Sequence, residues 1–240
     1  MENPFSSTQQ KTIREQQLSD ERVNVFMRQV YVTMALGLVI TGLTAWFVSQ
    51  SPALINLFLS GGILTWIVML APLGMVFFLA ARINKMSFQA ASTTFAIYSL
   101  VNGISFATIF MVYELGAISR VFFITAGTFG AMALIGLTTK VDLSKMGSIM
   151  YMALIGLIIA MVVNMFMGSS TLDYIISCAG VLIFCGLTAY DNQMLLNVAR
   201  QAAPGTETTN KIALMGALNL YLDFINLFLF LLRFFGGGDD

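Results

Sequence analysis

The chain has 240 residues and no histidine, an absence that removes whole classes of chemistry. A Ser-His intramembrane protease would lack its base and a His-ligated zinc peptidase its ligands, so any response to pH near neutrality falls to carboxylates. Cysteine is almost as scarce. Cys178 and Cys185 lie seven residues apart on one predicted helix, ~10 Å along its axis and too far for a disulfide. Charge is thin as well: 12 basic and 12 acidic residues, 10% of the chain, sum to zero. Nothing in that balance pulls the chain toward nucleic acid, which is not expected as a partner.

What fills the chain instead is apolar. Hydrophobic residues make up 58% and the mean hydropathy is +0.83, more apolar side chain than a soluble domain of this length hides in one core. A transmembrane helix needs ~20 mostly apolar residues to cross ~30 Å of hydrocarbon. Seven such stretches occur, at 30–49, 62–81, 90–112, 121–139, 149–167, 174–192 and 212–235. The expected fold is an all-α membrane protein, seven transmembrane helices in a compact bundle. Short connections predict that consecutive spans are antiparallel neighbours. Closed barrels are excluded, because their strands alternate over about ten residues. Residues 1–29 read as a polar cytosolic segment, 30–235 as the transmembrane domain and 236–240 as a flexible tail. Residues 1–29 show no apolar signal core or cleavage site, so the first span is expected to serve as an uncleaved anchor.

Basic residues set the expected orientation. Lys11, Arg14, Arg22, Arg28, Arg82, Lys85, Lys140, Lys145, Arg200 and Lys211 fall on the side of the N-terminus, and only Arg120 and Arg233 fall opposite. That bias predicts a cytosolic N-terminus and, after seven crossings, a C-terminus outside.

Ten of the twelve acidic residues occupy tails, turns or helix ends, and Asp191 and Asp223 remain inside the last two spans. An ionisable side chain at that depth costs a few kcal/mol or more and marks a proton or ion pathway by default. The turn between their helices falls near 201–210, about nine residues from Asp191 and about thirteen from Asp223. At ~1.5 Å per residue their depths differ by ~6 Å, which helix tilt absorbs. Asn219, Asp223 and Asn226 follow at i, i+4 and i+7 on one face of the last span, and Thr188 precedes Asp191 by three. Asn102, Ser105 and Asn164 are further candidates for lining a pathway, or for isolated helix-to-helix hydrogen bonds. Pro72 in the second span and Gly127, Gly130 and Ala131 in the fourth predict kinking and close packing.

Two carboxyl groups held close in low dielectric share a proton and titrate as a unit. Singly protonated, the Asp191–Asp223 pair would tie its two helices together; doubly ionised, it repels itself unless a cation or arginine intervenes. Oxygen ligands suit Ca²⁺, but two carboxylates fall short of its usual six to eight oxygens, so a permeating or transiently bound ion fits better than a resident one. No cofactor and no catalytic residue is expected.

Three segments carry a resemblance. ALNLYLDFINLFLFLLRFFG (217–236) resembles the terminal signature of the transmembrane Bax inhibitor motif family, GLTAYDNQ (186–193) resembles its sixth-helix motif, and TAGTFGAMALIGLTTKVDLSKMG (125–147) is similar to the fourth helix and following loop of bacterial members. The resemblance implies a seven-helix fold with the last helix central, a pH-sensitive calcium leak, and an aspartate pair as sensor at Asp191 and Asp223. It also implies a latching arginine at the cytosolic end of the second helix, matched by Arg82, and a place in the bacterial inner membrane among its lipids.

Two other readings stand beside it. Intramembrane aspartyl proteases place one aspartate after a tyrosine, as in Tyr190–Asp191, but their second motif needs Gly-x-Gly before the other aspartate, where this chain has Leu220, Tyr221 and Leu222. A non-transporting regulator that binds a membrane protease or another membrane protein is also compatible with the helices.

Overall fold

The computed structural model describes residues 4–203 and 205–235; side chains of residues 4–17 and 19 lie outside that description, as does the expected tail at 236–240. Nine helices follow in order among the described residues: α1 (Pro4–Ser49), α2 (Pro52–Leu59), α3 (Ile63–Arg82), α4 (Phe88–Phe106), α5 (Ile109–Val112), α6 (Leu115–Thr138), α7 (Ser144–Met167), α8 (Ser170–Gln201) and α9 (Glu207–Phe235). A 3₁₀ turn at Ile83–Lys85 joins α3 to α4. There is no strand among the described residues.

Seven helical stretches are long and apolar enough to cross a membrane: Asp20–Ser49, Ile63–Lys85, Phe88–Val112, Leu115–Thr138, Ser144–Met167, Ser170–Gln201 and Glu207–Phe235. They match the seven expected spans, with one extension. The first helix does not begin near Val30 but runs unbroken from Pro4, and Phe26 and Met27 are already buried. The segment read as a polar lead-in therefore delivers its last turns to the bundle.

Local chemistry explains the breaks. Ser51, Ser87 and Ser169 cap α2, α4 and α8, each hydroxyl accepting from a backbone N–H three residues on. Gly168 ends α7 at φ 61°, a left-handed position that favours glycine. Pro72 lies inside α3 without ending it.

Consecutive spans pack on each other at α3–α4, α7–α8 and α8–α9, as expected, but the remaining neighbours are not consecutive. α1 packs on α4, α8 and α9, and α6 packs on α8 and α9. Two sets of contacts join the elements at these points. α2, between α1 and α3 in sequence, contacts both. Gln193 of α8 clamps the loop between α6 and α7: its amide donates to the Val141 carbonyl at 2.8 Å and accepts from the Leu143 N–H at 2.8 Å. That clamp ties α8 to the loop that follows α6.

Burial separates an inner set from a lipid-facing set. The most hydrophobic window is 67% buried in α9 and 50% in α8, against 11% in α3 and 6% in α7. Outward-facing Trp66, Phe77, Ile155 and Phe166 are apolar and exposed, as hydrocarbon contact requires. With little hydrophobic driving force between helices in lipid, small residues supply the close fits. The glycines that do so are not the expected pair: a Cβ at Gly127 or Gly130 would meet nothing within 4 Å, and Ala131 is exposed. Gly136, two turns further along α6, lies against the Ala189 backbone of α8.

Candidate functional site

Asp191 and Asp223 are both buried, at 2% and 5% exposure. Both line one cavity of about 580 Å³. α8 contributes Phe184, Leu187 and Asp191, and α9 contributes Asn219, Asp223 and Asn226 and continues to Arg233. Tyr151, Leu154 and Leu157 of α7 form the opposite wall. The polar seam expected on α9 thus faces a single open volume. The helical period shows in burial too: between residues 213 and 232 of α9, Met215, Asn219, Leu222, Asn226 and Leu229 form a half-buried stripe and the rest are buried.

The two carboxylates are unequally supplied with partners. The Tyr151 hydroxyl donates to Asp191 Oδ1 at 3.4 Å, a long hydrogen bond. Asp223 Oδ2 is buried and has no hydrogen-bond partner. A buried polar atom of that kind costs roughly 1–3 kcal/mol, and more when charged, so a proton or a cation is the natural complement. Among the described residues no group of three or more Cys, Asp or Glu is placed to hold a metal ion. At the far end of the cavity, Arg233 Nε donates to Asp173 Oδ2 at 3.1 Å, tying the end of α9 to the start of α8.

The remaining sequence candidates fall elsewhere. Thr188 is fully buried, and its hydroxyl donates to the Phe184 carbonyl at 2.7 Å. The Ser105 hydroxyl donates to the Val68 carbonyl at 2.8 Å, joining α4 to α3. Asn164 braces the α7–α8 turn, donating to Asp173 Oδ1 at 3.2 Å and accepting from the Ser169 N–H at 3.1 Å. Asn102 is buried with an unpartnered amide nitrogen. None of the four lines the cavity, and Ser105 and Asn164 make the isolated helix-to-helix hydrogen bonds that were the other expectation for them. Arg82 is exposed in the last turn of α3, makes no ion pair among the described residues and is not part of the cavity wall.

Several polar contacts were not anticipated. The Tyr31 hydroxyl of α1 donates to Asn192 Oδ1, next to Asp191, and the Asn192 amide donates to the Thr188 carbonyl at 2.7 Å. On another face of α9, the hydroxyls of Tyr221 and Thr41 lie 2.7 Å apart, and Thr41 donates to the Ser99 carbonyl at 3.0 Å. Asn192 was the available signal: an amide beside an aspartate in a buried span has to find a partner.

Comparison with known proteins places this bundle. The family model described as inhibitor of apoptosis-promoting Bax1 matches residues 23–240. The chain belongs to the Bax inhibitor family. Inner membrane protein YbhL of Escherichia coli strain K12 is 42% identical over 215 residues, covering 89% of this chain and 92% of that protein. An uncharacterized protein of Borreliella burgdorferi is 42% identical over 213 residues, with coverage of 89% and 92%. One from Deinococcus radiodurans is 41% identical over 229 residues, with coverage of 95% and 94%. As a Bax inhibitor family member with seven apolar spans, the chain is a multi-pass integral membrane protein.

Proposed function

We infer that this protein is a pH-sensitive leak for calcium or a similar cation, gated by the Asp191–Asp223 pair and without enzymatic activity. The observation that carries the reading is the shared cavity: two buried carboxylates from adjacent helices line one volume, and Asp223 Oδ2 lacks a partner within it. A shared proton satisfies the pair and keeps α8 on α9; its loss leaves repelling charges that a passing cation can bridge. Two carboxylates with the Asn219 and Asn226 side chains offer too few oxygens for a resident Ca²⁺, which suits passage. The basic-residue bias supports a cytosolic N-terminus, with the Arg233 end of the cavity outside. Arg82, exposed here, would act as a latch only in a conformation that brings the end of α3 toward α8. YbhL is named an inner membrane protein, and we assign this chain to the same membrane.

The test is flux into liposomes loaded with a calcium dye across a pH series. Asp191→Asn and Asp223→Asn should each abolish the wild-type pH dependence. Unchanged flux and pH profile in both variants would refute the sensor.

A further inference from the structure

A second cavity, of about 380 Å³, lies on a different side of α9 from the aspartates. α1 and α6 both pack on α9 and leave a groove between them. Its walls include Gly42 and Trp46 of α1 and Ser119 and Phe123 of α6, and its floor is Phe224 and Phe228 of α9. On these three helices the residues lie toward the ends at Ser49, Leu115 and Phe235, and Phe106 of α4 and Phe110 of α5 complete the wall, so the groove lies toward one end of the bundle. Its volume is that of a small-ligand pocket. Trp46 is 50% exposed at its edge, an amphipathic ring of the kind found at membrane interfaces.

Charge complementarity identifies the occupant. Arg120 is not one of the lining residues; it follows Ser119 and comes one helical turn before Phe123, on the outer side of α6 next to the groove. It is exposed and makes no ion pair among the described residues. An apolar slot with a hydroxyl in its wall and an unpaired guanidinium one residue away suits one lipid: an acyl chain in the slot, a phosphate near Arg120. Arginine pairs with phosphate through a bidentate fork. We propose that the α1–α6 groove is a binding site for an anionic glycerophospholipid, its chain lying against Phe224 and Phe228 and its headgroup on Arg120. Phe224 adjoins Asp223, so an occupied groove also bears on the helix that carries the acid. The assignment stands apart from the calcium reading and would survive its failure.

Trp46 is the built-in reporter. The full chain carrying Trp66→Phe, a lipid-exposed position on α3, leaves Trp46 as the sole tryptophan. This protein would be placed in phosphatidylcholine bilayers containing a matched fraction of acyl-brominated phosphatidylglycerol or acyl-brominated phosphatidylcholine. Site binding predicts a preference of about fivefold for the anionic lipid in quenching Trp46. Arg120→Gln should bring that ratio to about one. Gly42→Phe should remove the preference by filling the slot, since a Cβ at Gly42 meets nothing within 4 Å and the helix can accept it. Equal quenching by the two lipids before either substitution means only annular lipid reaches Trp46, which overturns the proposal. A preference that survives Gly42→Phe overturns the groove as its location, and one that survives Arg120→Gln overturns the headgroup assignment.

Discussion

Gly136 and Gly127 lie nine residues apart on α6, and the same substitution should move stability in opposite directions at the two. A Cβ at Gly136 would fall inside contact distance of the Ala189 carbonyl oxygen, 2.9 Å from its carbonyl carbon and 3.1 Å from its Cα. The obstacle is backbone, which cannot rotate away. Ordinary carbon contacts begin near 3.4 Å, so α6 and α8 must part by roughly half an ångström for the carbon alone. Overpacking of this kind costs about 1–3 kcal/mol, with each kcal/mol worth about 2–4 °C in Tm for a chain of this size. At Gly127 a Cβ meets nothing within 4 Å, and Gly→Ala in an open helix position gains about 0.5–1 kcal/mol. Thermal unfolding of Gly136→Ala and Gly127→Ala in the same detergent, followed by loss of the monodisperse species, reads both. Because Ala189 lies two residues from Asp191, Gly136→Ala should also shift the pH profile of any flux, and Gly127→Ala should not. A Gly136→Ala protein as stable as wild type would show that α6 and α8 are not in backbone contact, and a destabilised Gly127→Ala would show that Gly127 is not open.

Tyr31→Phe removes the donor to Asn192 Oδ1 and leaves a buried amide oxygen unpaired, so Tm should fall by the equivalent of about 1–3 kcal/mol; no change would show that Asn192 finds another partner. Asp142, in the loop between α6 and α7, is held below the usual carboxylate range by its hydrogen bonds with the Ser144 hydroxyl and backbone N–H. A depressed folded-state pKa gives stability that is fully present above the ordinary carboxylate range and lost as pH falls through the lowered value. The Tm difference between wild type and Asp142→Ala should therefore be small but present at neutral pH and vanish in acid, and a difference that grows on acidification would contradict it.

The features readable in the sequence were those that repeat with a helical period. Asn219, Asp223 and Asn226 share a face because 3.6 residues make a turn, and the structure turns that face to a cavity. Run length alone delivered the seven spans, since in hydrocarbon only helices and closed barrels satisfy the backbone and barrel strands are about half as long. Contacts between distant segments have no such signature. Tyr31 and Asn192 are 161 residues apart, and Thr41 and Tyr221 are 180 apart. Glycine shows the same limit from another side. Gly127, Gly130 and Gly136 are alike in sequence, but only the rotation of α6 against α8 decides which one touches backbone.

Isolated hydroxyls in a span carry less information than carboxylates. Thr188 and Ser105 satisfy themselves on backbone carbonyls, which an apolar surrounding permits wherever a hydroxyl can reach back to its own helix or a neighbour. A carboxylate has no such refuge, because a backbone carbonyl cannot donate to it. Of the polar groups inside the spans, Asp191 and Asp223 are the two whose charge the helices cannot absorb, and α8 and α9 bring both to the same cavity wall.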